Sequence, residues 1–256
     1  MRIKRPEVVL GRMNQPHKSW CVVPKTTPVP FFGNIETAKS LTIGINPSFK
    51  EFLSNNGELL TGTDKRLEDH ETLGIIESEY YEQVGFENAE KIYDSCINYF
   101  SNNPYNWFEK IEKTINSAFN TSFYDNSAAH VDLVQWATKP VWSLLEKKDP
   151  TVARHLIEIE KPWLLEHLSW LKKDNLQLSA IFLSGRTVIS NLTEEFNLKS
   201  SGMTKVEGKN RQNELFTGVF QDVKVFGSTM NVSDSYTSNS HRMYLNQWLR
   251  DTITSS

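Results

Sequence analysis

Short apolar runs alternate with amphipathic helical stretches along this chain, and this alternation constrains the fold more than any other feature. Four runs have the length of a β-strand and lie at residues 40–45, 128–134, 178–185 and 222–229. Strands that alternate with helices favour a parallel sheet with helices on both faces. We therefore predict an α/β fold of three layers, with a central, mostly parallel four-stranded sheet flanked by helices. Residues 214–220 are predicted to form a hairpin with the last strand.

The helices are predicted from apolar residues that recur every three or four positions. Residues 103–119 and 149–173 show this pattern, and Pro162 is predicted to break the second helix or to start a new one. Residues 184–196 indicate a strand, a turn and a helix, and residues 238–253 indicate a closing helix behind a Ser/Asn cap.

The composition favours one globular domain over residues 1–256. The chain is 38% hydrophobic and shows no internal repeat, low-complexity tract or Gly/Ser linker. Residues 50–100 are less periodic, and we expect them to form an insertion beside the functional site.

Cysteine usage and charge limit the cofactors, compartments and partners. Cys21 and Cys96 have no C-x-x-C spacing and no Cys/His cluster suggests zinc, so we expect no metal site and a reducing, cytoplasmic setting. No apolar run of about 18 residues is present, which argues against a membrane partner. The net charge of -3 means that a DNA-binding protein of this composition must concentrate its positive charge locally. We expect a monomer.

The sequence Gly44-Ile45-Asn46-Pro47-Ser48 ends the first predicted strand. Proline has no backbone N–H and cannot lie inside a central strand, so the chain leaves the sheet here and presents Asn46 at the strand's carboxyl end. Ligands bind at that edge of open α/β sheets. The loops after the other predicted strands are also polar and are expected to converge there; they lie at residues 130–140, 183–187 and 227–242.

These motifs resemble those of the uracil-DNA glycosylase superfamily. Residues 44–48 are similar to the Gly-Ile-Asn-Pro-Gly of its mismatch-specific branch and the Gly-Met-Asn-Pro-Gly of its single-strand-selective branch. Residues 231–239, Asn-Val-Ser-Asp-Ser-Tyr-Thr-Ser-Asn, resemble the second motif, which is usually His-Pro-Ser or Asn-Pro-Ser. The sequence departs from the family pattern at three positions, namely Ser48 for Gly, Val232 for Pro and Asp132 where many members carry Asn.

The resemblance implies a monofunctional DNA glycosylase that flips a pyrimidine out of DNA and hydrolyses its N-glycosidic bond, with no cofactor. By the family pattern, Asn46 would hold the attacking water or a base edge, and Asn231 would donate a hydrogen bond to the leaving base. Pro47 and Phe49 would contact the base, with Leu59, Leu60, Tyr80 and Tyr81 as alternatives to Phe49 for stacking. The residues implied to contact DNA are Ser233, Tyr236 as a wedge, and Ser238, Asn239, Ser240 and Arg242 at a helix start.

Asp132 is the most informative departure from the family pattern. A carboxylate accepts hydrogen bonds from the exocyclic amino group of cytosine but does not match the O4 acceptor of uracil. The base would then be a cytosine derivative, such as a modified cytosine of bacteriophage DNA attacked in antiviral defence, whereas uracil would indicate DNA repair. Asp132 could instead take the proton of the water, or serve as a helix N-cap or structural carboxylate.

Two other functional classes remain open. The altered motifs are also compatible with a non-catalytic nucleic-acid-binding module on the same fold. A different α/β enzyme is less favoured because the sequence lacks G-x-G-x-x-G, G-x-x-x-x-G-K-[ST] and G-x-S-x-G. Lys205, Lys209 and Arg211 form a local positive cluster that would track phosphates or lie in a solvated loop. His130 is interpreted as a satisfied polar residue rather than a catalyst.

Overall fold

The computed structural model describes residues 6–13, 20–75, 85–102, 104–205, 212–232 and 239–254. The helices are α1 (Glu7–Met13), α2 (His70–Leu73), α3 (Phe86–Ile97), α4 (Phe108–Phe119), α5 (Trp142–Lys148), α6 (Pro150–Asp174), α7 (Arg186–Leu192) and α8 (Asn239–Thr254). The strands are β1 (Ser40–Gly44), β2 (Ala128–Asp132), β3 (Ala180–Ser184), β4 (Lys199–Lys205), β5 (Gln212–Phe220) and β6 (Val223–Ser228). Short 3₁₀ helices cover Phe49–Glu51, Gly62–Asp64 and Tyr99–Ser101.

The chain forms two compact units, each built from three segments. The first unit comprises Met1–Gly33, Asn46–Tyr105 and Val131–Lys173, and the second comprises Asn34–Ile45, Asn106–His130 and Asp174–Ser256. The segment 50–100, predicted as an insertion, belongs to the first unit; its described part contains α2, α3 and the 3₁₀ helix Gly62–Asp64 and overlaps the other two 3₁₀ helices. That the whole chain acts as one domain stays a prediction.

The sheet has six strands in the order β2-β1-β3-β6-β5-β4, so the prediction of four strands was wrong. Strands β1 and β3 pair in parallel, as do β3 and β6, and the sheet as a whole is mostly parallel. The predicted hairpin is confirmed, because β5 pairs antiparallel with β6. Strand β4 extends the sheet beyond β5; its sequence, Lys-Ser-Ser-Gly-Met-Thr-Lys, lacks the apolar alternation of a half-buried strand because it is an edge strand with one neighbour.

Helices cover both faces of the sheet within the second unit. On one face, Phe182 of β3 and Phe226 of β6 pack in a cluster with Leu245 and Leu249 of α8. On the other face, α7 lies so close that a Cβ built on Gly227 would be 2.4 Å from the Ile189 side chain. Side chains of adjacent strand residues point to opposite faces of the sheet, so position 226 faces α8 and position 227 faces α7.

Helix α6 of the first unit is continuous over 25 residues and includes Pro162, so the predicted break at this proline was wrong. Pro162 lies on the exposed side of the helix, whereas Leu164 and Leu168 are buried. Burial of that apolar side offsets the backbone hydrogen bond that proline removes. The helix also supplies Glu160, which forms a buried ion pair with Arg12 of α1. No helix in the described ranges combines the length and apolar character needed to cross a bilayer.

Candidate functional site

Asn46 follows β1 at its carboxyl end, as predicted, and its amide nitrogen is held by the protein. Nδ2 donates hydrogen bonds to the Pro47 carbonyl and to Thr138 Oγ1, both at 2.9 Å, with the Trp136 carbonyl at 3.4 Å. A backbone bridge between Ser48 and Thr138 fixes the two loops that carry these groups. No described residue donates a hydrogen bond to Asn46 Oδ1. The side chain is therefore oriented with its oxygen as the acceptor for a ligand or water.

Asp132 is the last residue of β2 and is only 2% exposed. The next helix begins at Trp142, so the alternative that Asp132 caps a helix is wrong. The remaining interpretations of this carboxylate, as a base reader, a base for the water or a structural group, stay open.

Glu51 is a buried carboxyl group that the sequence analysis missed. It ends the 3₁₀ helix after the first motif and is 3% exposed. The Tyr99 hydroxyl donates to Glu51 Oε2 at 2.6 Å, and the Tyr105 N–H donates to the same hydroxyl at 2.9 Å. Burial raises the pKa of Glu51 to about 8; the Tyr99 hydrogen bond and the charge of Arg66 oppose this, and the charge of Asp132 adds to it. Glu51 is therefore mostly neutral at pH 7.

A weak sequence signal for Glu51 exists. An acidic residue stands directly before Phe52 and Leu53, which are both buried, five residues after Asn46. Acidic residues are rarely buried without a partner, so such a position is a candidate for a functional group.

Two aromatic rings of the first unit have side-chain cations nearby. Phe49 is half-buried, and Lys139 Nζ lies 5.8 Å from its ring centroid. Lys50 Nζ and the Arg66 guanidinium lie 5.9 and 5.7 Å from the Tyr105 ring. Of the other predicted base contacts, Pro47 is buried and Leu59 and Leu60 are half-buried. Tyr80 and Tyr81 lie outside the described residues.

Asn231 of the second motif lies in the second unit and is exposed. Ser184 Oγ, at the end of β3, donates to Asn231 Oδ1 at 3.4 Å and accepts from the Val232 N–H at 3.1 Å. Because the amide oxygen of Asn231 accepts from Ser184, its amide nitrogen is the group that can donate a hydrogen bond to a ligand. Val232, which replaces the proline of the family pattern, is 1% exposed and packs in the apolar cluster with α8.

Asn213 of β5 fixes the segment that precedes Asn231, and the sequence analysis missed this residue too. Asn213 Oδ1 accepts hydrogen bonds from Ser228 Oγ, Thr229 Oγ1 and the Met230 N–H at 3.0–3.1 Å. Asn213 Nδ2 lies 2.8 Å from His241 Nε2. Burial, with a smaller effect of Arg242, lowers the pKa of His241, so the imidazole is neutral and can accept this hydrogen bond.

The predicted phosphate-binding residues are only partly described. Helix α8 begins at Asn239, as predicted, and Arg242 Nη1 donates to Asn239 Oδ1 at 3.2 Å. Asn239 and Ser240 are exposed. Outside the described residues lie Ser233, Tyr236, Ser238, Lys209 and Arg211, and likewise the side chain of Lys205.

His130 is confirmed as a buried, hydrogen-bonded residue. It is 1% exposed, and its Nδ1 lies 2.6 Å from Thr42 Oγ1. The rings of Trp107 and Phe108 pack against it edge-on, with centroids 5.5 and 5.3 Å away.

Asn46, Pro47, Phe49 and Asp132 belong to the first unit, whereas Asn231, Asn239, Ser240 and Arg242 belong to the second. Over the described parts of the chain, no three His, Cys, Asp or Glu side chains are grouped in a way that could hold a metal ion. Neither the family models nor the curated proteins with which the chain was compared give a match.

Proposed function

We propose that this protein is a monofunctional DNA glycosylase that hydrolyses the N-glycosidic bond of a flipped pyrimidine. The observation that carries the proposal is the anchoring of Asn46, whose amide nitrogen is bound by Pro47 and Thr138 while its oxygen is left as an acceptor. An acceptor in a fixed position can hold a water molecule by one of its hydrogens. Asparagine is too weak a base to remove the proton, so its contribution is orientation.

The reaction needs stabilisation of two opposite charges. Breaking the bond between the sugar and the base builds positive charge on the sugar and negative charge on the departing base. Asp132, buried in the same unit as Asn46, supplies a carboxylate that suits the positive sugar and can take the proton of the water. The half-buried ring of Phe49 in that unit is the candidate for base stacking.

The chemistry of Asp132 favours a cytosine derivative over uracil as the substrate. Its carboxylate can accept a hydrogen bond from the N4 amino group of cytosine, and uracil presents an acceptor at the same position. A modified cytosine of bacteriophage DNA would give the protein a role in antiviral defence, and release of uracil would give it a role in repair.

Base release measured by mass spectrometry tests the proposal. The DNAs would contain uracil, mismatched thymine, cytosine, hydroxymethylcytosine or glucosylated hydroxymethylcytosine. We expect release of one pyrimidine by the wild type and a loss of about 100-fold in Asn46→Ala. Asn56→Ala is the matched control, because Asn56 is an exposed asparagine of the same unit. If no base leaves any DNA and the DNA is still bound, the proposal is wrong and the protein is a binding module.

Asp132→Asn separates the two roles of this carboxylate. A changed base preference with an unchanged maximal rate would identify Asp132 as the base reader. A loss of about 100-fold on every substrate would identify it as the base that acts on the water. Asp149→Asn changes a carboxylate that bonds only to its local backbone and serves as the control.

A further inference from the structure

Lys50, Arg66 and Lys139 are cations of the first unit that form no ion pair with any residue in the described ranges. Asp69, three residues after Arg66, is instead paired with Lys65 at 3.1 Å. The Lys139 side chain is exposed, and those of Lys50 and Arg66 are half-buried. The positive charges of these three side chains are therefore available to a ligand.

A continuous series of contacts joins the three cations through two aromatic rings. Lys139 Nζ lies 5.8 Å from the ring centroid of Phe49, the residue directly before Lys50. Lys50 Nζ and the Arg66 guanidinium lie 5.9 and 5.7 Å from the centroid of one ring, that of Tyr105. Arg66 Nη1 also donates to the Lys50 carbonyl at 2.9 Å. Because these contacts hold the cations in one region, less side-chain freedom is lost when a ligand binds to them.

This group of cations adjoins the two loops that hold Asn46. Lys50 lies four residues after Asn46 in the chain. Lys139 directly follows Thr138, whose hydroxyl oxygen accepts from Asn46 Nδ2 at 2.9 Å. The backbone bridge between Ser48 and Thr138 joins the loop that carries Lys50 to the loop that carries Lys139. The positive charge is thus placed on the same loops as the residue that would hold the attacking water.

We infer that Lys50, Arg66 and Lys139 form the surface that binds the DNA phosphates on either side of the flipped nucleotide. This inference rests on the proposed function, because that function makes DNA the partner. The chain has a net charge of -3, so its attraction for a polyanion must come from a local group of cations. Arg66 Nε donates to no described residue, and a guanidinium with donors to spare suits phosphate oxygens. Phosphate contacts carry no information about the base, which leaves base choice to the residues around Asn46.

The salt dependence of DNA binding tests this inference. The probe is a fluorescein-labelled oligonucleotide without modified bases, used as a single strand and as a duplex, and its anisotropy is followed between about 50 and 200 mM salt. Each lost phosphate contact reduces the slope of log K against log salt concentration by about 1. The triple variant Lys50→Gln, Arg66→Gln and Lys139→Gln should bind about 100-fold more weakly at the middle of this range, with a slope smaller by about 2–3.

The matched control removes the same charge elsewhere in the first unit. Lys147→Gln, Lys148→Gln and Arg154→Gln change two lysines and one arginine, all exposed, and this triple variant should keep the wild-type slope. Two single variants test the surface without relying on the fold of the triple variant. Lys139→Gln, at an exposed position, should reduce the slope by about 1, and Arg66→Lys, which keeps the charge, should leave it unchanged. Folding of each variant is checked by its thermal midpoint and circular dichroism.

Two results of the binding measurements overturn the inference. One is an equal loss of slope in the two triple variants, which would mean that net charge alone decides binding. The other is a wild type that binds neither the single strand nor the duplex at about 50 mM salt.

Base release from the modified DNAs separates this inference from the proposed function. If the wild type releases a base and the triple variant Lys50→Gln, Arg66→Gln and Lys139→Gln keeps the wild-type salt slope, the inference alone is wrong. If that variant loses slope as expected and the wild type releases no base from any DNA, the glycosylase proposal alone is wrong. The three cations would then belong to a binding module.

Discussion

Thr138 determines where the Asn46 amide points. Its hydroxyl oxygen accepts the Asn46 Nδ2 hydrogen bond at 2.9 Å, and the residue is only 1% exposed. Thr138→Val keeps the shape of the side chain and removes the acceptor. We expect a loss of about 1–2 kcal/mol in the free energy of unfolding. Because the amide is no longer fixed, base release should fall about tenfold. Urea denaturation and the base-release assay measure these two effects.

The matched control is Thr121→Val in the second unit. Thr121 is 3% exposed and its hydroxyl lies 2.6 Å from that of Ser40, so this variant also loses one buried hydrogen bond. It should lose similar stability and retain base release. Equal losses of base release in the two variants would show that Thr138 acts through stability and not through Asn46.

The sequence predicted the residues whose role follows from local position. Asn46 was identified because proline directly after a strand forces the chain out of the sheet. Asp132 was identified because it stands where many members of the resembled family carry Asn. Glu51, Thr138 and Asn213 could not be identified in this way. Their roles come from partners 48, 92 and 28 residues away, and single-sequence periodicity contains no information about such contacts.

At the scale of elements, Asn213 holds residues 228–230, at the end of β6 and the start of the segment that follows it. Asn213→Ala removes the acceptor shared by Ser228, Thr229 and Met230, although Ser228 Oγ can still donate to the Met230 carbonyl, so we expect a loss of about 1–3 kcal/mol in the free energy of unfolding. Asn213→Asp keeps the acceptor oxygen and should cost less. Its second oxygen can accept from protonated His241, so the pKa of His241 should rise from its present lowered value, as NMR titration of the imidazole would show.

Asn191→Ala is the matched control for Asn213→Ala. Asn191 lies in α7 and donates only to the Thr187 carbonyl one turn earlier, so its loss should cost less than that of Asn213. If the two alanine variants lose the same stability, or if the pKa of His241 does not respond to Asn213→Asp, residues 228–230 do not depend on Asn213.

The elements that were predicted correctly are those with a local signal in the sequence, either an apolar run or a helical spacing of apolar residues. Strands β1, β3 and β6 were found because each is a buried apolar run, and α4 and α8 because their apolar residues recur with helical spacing. Strand β4 was missed because it pairs along one edge only and needs few apolar side chains. The break predicted at Pro162 was wrong because burial of one side of α6 outweighs a local preference of the backbone.

At the scale of the whole molecule, opposite pKa shifts predict a stability maximum near pH 6.5. Burial lowers the pKa values of His70 and His167 to about 4 from 6.5. The unfolded chain therefore binds more protons in that range, and stability is lost as the pH falls from 6.5 towards 4. Glu51 has the opposite sign: its pKa is raised from 4.5 to about 8, so stability is lost as the pH rises through that range.

Thermal midpoints between pH 4 and pH 9 test this profile in the wild type and in four variants. Each unmatched proton changes the free energy of unfolding by about 1.4 kcal/mol per pH unit. Glu51→Gln should remove the decline between pH 6.5 and 8, and His167→Gln should weaken the decline below pH 6.5. The matched controls are Glu58→Gln and His155→Gln, which change exposed residues, the second in the same helix as His167. A wild-type midpoint that rises steadily from pH 6.5 to 8 would mean that Glu51 is ionised in the folded protein.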